Sequence, residues 1–140
     1  MLASVPTAPA KAGRLLLANV GLDGFDRGLK KLARTLGDAG FECISTGLFQ
    51  QPSAVAQAAV DEHADAIAVS MPSGAHPTLV HMLIHELWSR SADIPVLLVG
   101  ALSPQDLAAM VAAGAAGIVG PGSTGAQTVA QFAGAIRRPA

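Results

Sequence analysis

Four clusters of small and hydrogen-bonding residues carry what chemistry this chain can offer. The first is Asp23-Gly24-Phe25-Asp26-Arg27-Gly28, and the second opens at Ser70 and runs through Pro72, Ser73 and Gly74 to His76. The third is Gly100-Ala101 and the fourth Gly120-Pro121-Gly122-Ser123. Glycine lets a ligand come close to the backbone, a serine hydroxyl can pair with a ring nitrogen, and carboxylate and imidazole extend the range of partners. Each cluster follows a short apolar run and precedes a helical pattern, so each is a strand-to-helix loop. In an open parallel sheet such loops gather outside the carboxyl ends of the strands, where ligands bind. One glycine turn alone would be explained by turns and helix caps. Four at one edge point to a shared ligand.

Several chemistries are excluded by what the loops lack. Ser70 or Ser73 with His76 and Asp23 would resemble a hydrolase triad in composition, but no Gly-x-Ser-x-Gly elbow is present. A phospho-accepting receiver would need Asp where Ser70 stands and Lys where Pro121 stands. Leu22-Asp23-Gly24-Phe25 is not the hydroxyl-rich phosphate loop of an FMN flavodoxin, and the P-loop pattern is missing. His81 and His85 have the i, i+4 spacing of a two-histidine zinc site, with Trp88 at i+7. Without a third ligand they read as a solvated or partner-facing stripe, and the tryptophan makes a subunit contact the natural use of it. His63 reads as helix-end surface.

The elements that position these loops alternate regularly. Strands are predicted at residues 14–20, 41–46, 66–70, 94–99 and 116–119, and helices at 28–39, from Pro52 onward, at 77–90, from Pro104 to a stop at Gly114, and at 125–136. The first helix sets Leu29, Leu32, Ala33 and Leu36 on one face, against Lys30, Lys31 and Arg34, and ends at Gly40. Val55, Ala56, Ala59 and Val60 face inward from the second, and Leu79, Val80, Leu83 and Leu87 from the third. Ser103-Pro104-Gln105-Asp106 is a helix start by residue type: N-cap Ser, Pro in the first turn, then an acid. The third strand, continuously apolar until Ser70, belongs in the middle of a parallel sheet. Five βα units with right-handed crossovers predict one α/β domain, flavodoxin-like or Rossmann-like, with parallel strands in the order 2-1-3-4-5 and helices on both faces. The switch point then lies between the first and third strands, with the Asp23 and Ser70 loops on either side of one crevice.

Composition fits one soluble, cytoplasmic domain. The chain has 140 residues, 51% of them hydrophobic, and a formal net charge of −1, with a mean hydropathy of +0.44. That balance offers nucleic acid no basic footprint, and with no Tyr there is little for bases to stack on. No uncharged apolar run approaches the length of a membrane span. The lone Cys43 is expected to be a buried, inert thiol in a reducing compartment. Residues 1–12, rich in Ala and Pro, read as a flexible tail, leaving 13–140 as the domain.

Taken with their flanks, these loops resemble the cobalamin-binding domains of acyl-CoA mutases of the methylmalonyl-CoA mutase type. Asp23-Gly24-Phe25-Asp26-Arg27-Gly28 is similar to the family signature Asp-x-His-x-x-Gly. Gly47-Leu48-Phe49-Gln50 with Pro52, Ser70, Gly74 and His76, Pro104-Gln105-Asp106 and Gly120-Pro121-Gly122-Ser123 fall at matching spacings. The resemblance implies cobalamin, in its adenosyl form, lying across the loop edge with its dimethylbenzimidazole tail in a slot. Ser70 would hydrogen-bond the tail, and glycines including Gly24, Gly28, Gly74, Gly100, Gly120 and Gly122 would line the path. It also implies a separate partner, a large mutase subunit, because the chain is too short to hold the substrate-binding barrel; any isomerase activity would belong to that complex.

The departures are specific. Phe25 stands where the family's histidine gives cobalt its lower ligand, and phenylalanine has no lone pair to give. Asp23 remains without the imidazole it would orient, Asn19 replaces a lysine, Pro72 replaces a frequent leucine, Ser123 stands where threonine is usual, and Ala101 in place of glycine would narrow the slot. Cobalamin could therefore bind with its own benzimidazole on cobalt above Phe25, or with an open lower face, or the domain could be a degenerate homologue kept for interaction or regulation. A homodimer through the His81, His85 and Trp88 helix is a further expectation.

Overall fold

The computed structural model describes residues 13–19, 27–45, 51–70, 77–100, 103–120 and 122–136. Five βα units follow one another: β1 (Gly13–Asn19), α1 (Arg27–Asp38), β2 (Phe41–Ser45), α2 (Pro52–Asp61), β3 (Ala66–Ser70), α3 (Pro77–Ser89), β4 (Val96–Val99), α4 (Pro104–Ala112), β5 (Gly117–Val119) and α5 (Gly125–Ile136). The sheet is parallel throughout, in the order β2-β1-β3-β4-β5. The doubly wound architecture predicted from the alternation is therefore the observed one. β4 begins at Val96, two residues later than its apolar run suggested. Pro95 has no N–H to give a ladder, although its carbonyl still accepts from the Ile67 N–H at 2.9 Å.

Side-chain alternation divides the strands between two cores. Leu16, Ala18, Ile67, Val69, Val96 and Leu98 face α2, α3 and α4, meeting Val55, Ala59, Val80, Leu83, Leu87 and Met110. Leu15, Leu17, Ala66, Ala68, Leu97 and Val119 face α1 and α5, meeting Leu32, Leu36 and Phe132. Every residue of β3 is buried, as its unbroken apolar character predicted. Burying one leucine in such a layer contributes roughly 2 kcal/mol, so the two layers together supply the main force that closes the domain.

Helix ends are governed by local hydrogen bonds. The Ser103 hydroxyl accepts from the Asp106 N–H at 3.1 Å, the N-cap expected from residue type. α5 opens with a reciprocal capping box: the Gln127 N–H donates to Thr124 Oγ1 at 3.0 Å, and the Thr124 N–H to Gln127 Oε1 at 2.8 Å. At their C-termini α2, α3 and α4 close with paired back-bonds, such as Ala64 N–H to the Ala59 carbonyl at 2.9 Å and Ala115 N–H to the Met110 carbonyl at 3.1 Å. The residue in the left-handed region is Gly114 after α4, but His63 and Ser91, each at φ 56°, after α2 and α3. A side chain there costs about 1 kcal/mol relative to glycine.

At the opposite edge Arg14 draws the strand starts together. Its N–H donates to Asp65 Oδ2 at 2.8 Å, its Nη1 to the Glu62 carbonyl at 2.7 Å, and its Nη2 lies 3.1 Å from Glu42 Oε1. Cys43 is half-buried rather than enclosed, because β2 is an edge strand, and its Sγ lies 3.9 Å from the Ala33 carbonyl. Desolvation, with the nearby Glu42 charge adding to it, raises the thiol's pKa.

Three expectations follow from these local features. In urea unfolding, His63→Gly and Ser91→Gly each raise stability by about 0.5–1 kcal/mol. Gly114→Ala lowers stability, because φ is +114° there and a Cβ would sit 2.6 Å from Ile84 Cδ1. Cys43 reacts with iodoacetamide more slowly than a free thiol near pH 8, since its neutral form is favoured. Its contribution to stability is complete below the unfolded thiol's pKa and is lost as pH rises through the higher folded value. A thiol alkylated at the free-peptide rate in folded protein would contradict this.

Candidate functional site

The strand register brings the loop-bearing ends to one level. Asn19 pairs with Ser70, Ser70 with Val99, and Val99 with Val119. The loops that follow β1, β3, β4 and β5 therefore leave the same edge side by side, as the predicted strand order requires. Gly100 and Val119 are further joined by the Gly100 N–H, which donates to the Val119 carbonyl at 3.1 Å.

Ser70 is the most informative residue at this edge. It is 4% exposed, one of two buried polar residues among those described. The other, Thr128, donates its hydroxyl to the Thr124 carbonyl at 2.9 Å. The Ser70 hydroxyl has no hydrogen-bond partner among the described residues. A buried, unsatisfied hydroxyl costs about 1–3 kcal/mol. Alternation along β3 puts Ser70 in line with Ala66 and Ala68, on the face covered by α1 and α5.

Those two helices begin at this same edge. α1 starts at Arg27 and Gly28, directly after the Asp23 loop, and α5 starts at Gly125, directly after the glycine turn. They approach each other closely: a Cβ added at Gly125 would lie 3.5 Å from Thr35 Cγ2. The turn itself is closed by the Ser123 N–H, which donates to the Gly120 carbonyl at 3.2 Å. The capping box at Thr124 and Gln127 then holds it against the start of α5. Thr-x-x-Gln is a readable helix-start signal, yet attention to the glycines passes over it.

Gly120 and Gly122 are not explained by the fold's own packing. A Cβ added at either meets nothing within 4 Å among the described residues, and neither adopts positive φ. Gly114 makes the contrast, since its backbone at φ +114° favours glycine and an added Cβ would also displace the end of the Ile84 side chain. The turn thus presents bare backbone to open space at the same sheet edge as the Ser70 hydroxyl, two strands along from it, which suits a ligand that packs closely against it.

Of the sequence-predicted positions, Ser70, Gly100, Gly120, Gly122 and Ser123 are brought to this edge, with the backbone of Arg27 and Gly28 at the start of α1. Asp23, Gly24, Phe25, Pro72, Gly74, His76 and Ala101 lie outside the described residues. His81, His85 and Trp88 are on α3, which covers the other face, and all three are exposed. Among the described residues, no helix is long and apolar enough to cross a membrane.

Comparison with known proteins agrees with this geometry. Residues 13–130 match the family model described as B12 binding domain. Methylmalonyl-CoA mutase, mitochondrial, of Pongo abelii is 43% identical over 111 residues, which are 79% of this chain and 15% of that protein. The 2-hydroxyisobutanoyl-CoA mutase small subunit of Aquincola tertiaricarbonis is 40% identical over 98 residues, covering 70% of this chain and 72% of that subunit. The chain therefore spans a small part of the full-length mutase and most of the small subunit. Among solved structures, a cobalamin-binding protein from Desulfitobacterium hafniense DCB-2 has the same fold, with a TM-score of 0.69 at 17% identity over 86% of this chain and 57% of that one. On the extent of the family match and the likeness to most of a small subunit, this chain belongs to the B12-binding domain family.

Proposed function

We propose that this domain binds cobalamin at the edge formed by Ser70, Gly100 and the Gly120 to Ser123 turn, and presents it to a separate protein subunit. The observation that carries the reading is the buried Ser70 hydroxyl, which has no partner among the described residues, at the same edge as a turn whose glycines no described neighbour requires. A ring nitrogen of the cofactor's nucleotide tail would satisfy that hydroxyl. The same tail would account for the bare backbone at Gly120 and Gly122. Asp23, Gly24, Arg27, Gly28, Pro72, Gly74, His76, Ala101 and Ser123 complete the proposed contact set from the flanking loops. A small-subunit relative of comparable length supports a separate large partner. Any acyl-CoA mutase activity would then be a property of the complex.

When bound, the corrinoid supplies the radical chemistry, with the adenosyl form as the proposed cofactor. The work of this chain is to hold it. The Ser70 hydroxyl fixes the tail, the glycines admit it, and the α1 and α5 starts wall the slot. Phe25 cannot ligate cobalt: a cofactor whose tail is held at Ser70 would take no lower ligand from this loop, one that kept its own benzimidazole on cobalt would leave Ser70 without that nitrogen, and Asp23 would be a loop acid. The same substitution favours a second reading, in which the domain has lost the cofactor and acts as an interaction or regulatory module.

Mixing the protein with adenosylcobalamin or hydroxocobalamin, removing free ligand and recording the visible spectrum separates the readings. Retained corrinoid is expected; its absence would leave the second. Ser70→Ala should weaken binding by about 1–1.5 kcal/mol, roughly tenfold. Gly122→Ala, whose added Cβ meets no described atom within 4 Å, should leave unfolding stability unchanged, and Gly122→Leu should weaken binding by more than Ser70→Ala. Phe25→His is expected to move the spectrum of bound cofactor towards imidazole ligation, and an unchanged spectrum would remove Phe25 from beneath cobalt.

A further inference from the structure

The outer face of α3 takes no part in the cofactor edge. Trp88 is 75% exposed and Met82 45%, while Val80, Leu83 and Leu87 on the inner face are buried. An indole is a large apolar surface to leave in water, and tryptophan is enriched where interfaces form. With Thr78, His81, His85 and Ser89 these two residues make an exposed face without a charged group. The nearest charges are engaged with each other: Arg90 Nη1 lies 2.7 Å from Glu86 Oε1, and Arg90 Nε donates to Gln57 Oε1 at 3.1 Å.

This arrangement suits a second copy of the same chain. In a two-fold contact a patch meets itself, so any net charge on it is repelled. The outer face of α1, with exposed Lys30, Lys31 and Arg34, fails that condition; the outer face of α3 meets it. The spacing is also self-complementary. His81, His85 and Trp88 recur at i, i+4 and i+7 and form one straight stripe. When two such stripes run antiparallel, Trp88 of each comes opposite His81 of the other, with the His85 pair near the middle. Indole over imidazole is a favourable ring contact. Trp88 lies in the last turn of α3, at the end away from the Ser70 edge and on the opposite face of the sheet.

We propose that α3 is the contact face of a homodimer in which Trp88 of each copy packs on His81 of the other. The proposal is independent of cobalamin, and failure to bind the cofactor would leave it standing. Trp88 is the only tryptophan, so its fluorescence reports the contact directly. On dilution from roughly 100 µM to 1 µM, emission is expected to shift to the red as sedimentation velocity shows dimer giving way to monomer. Trp88→Ser, at an exposed position, should keep the circular dichroism spectrum and weaken dimerisation about tenfold or more. In a Cys43→Ser background, His85→Cys should crosslink through a short bismaleimide, and Lys31→Cys should not. A monomer throughout that range would overturn the proposal. So would a dimer indifferent to Trp88→Ser, or crosslinking through Lys31→Cys alone.

Discussion

Burial of β3 between two helical layers is the constraint on which this domain depends. Every residue of the strand is buried, so each of its side chains must be either apolar or supplied with a partner. Ala66, Ile67, Ala68 and Val69 meet the condition by being apolar. Ser70 does not, and it sits where the strand reaches the carboxyl edge. The same rule that forms the core thus singles out the point at which the fold is incomplete by itself.

The surroundings of Ser70 are arranged by two further consequences of the parallel sheet. Register sets Asn19, Ser70, Val99 and Val119 in a row, which gives four loops a common origin. Alternation sends the Ser70 side chain to the α1 and α5 face, and both helices start at that edge. A glycine turn braced by a capping box then supplies backbone that a ligand can approach. These features were each built for folding, yet they converge on one small region. The sheet has thus aligned the loop ends before any ligand is considered.

Charge is distributed with similar economy. The described ion pairs, Arg14 with Glu42 and Arg90 with Glu86, lie away from the Ser70 edge. Both are at least partly exposed and contribute at most about 1 kcal/mol each. Arg14 matters more through its hydrogen bonds to Asp65 and the Glu62 carbonyl, which tie β1 to the segment entering β3. Neutralising Glu86 within its own helix turn leaves the adjacent α3 face without charge.

The amino-acid sequence by itself determined the alternation of strands and helices, the bounds of β3 and α5, the Ser103 cap and the loops that carry the site, because these rest on local periodicity and residue type. The family resemblance was legible for the same reason, being a matter of motifs and spacing. Thr124 and Gln127 were equally readable and were overlooked beside the more conspicuous glycines. Tertiary structure alone decided the rest. The late start of β4 depended on pairing across strands, and the half-burial of Cys43 on which strand lies at the edge. At His63 and Ser91 the chain turns through the left-handed region without glycine, which residue preference alone would not suggest. That Ser70 is enclosed yet without a partner among the described residues, while Gly120 and Gly122 meet none of them, depends on contacts between residues far apart in the chain. No local pattern encodes such contacts, because they form only when the strands and helices have packed.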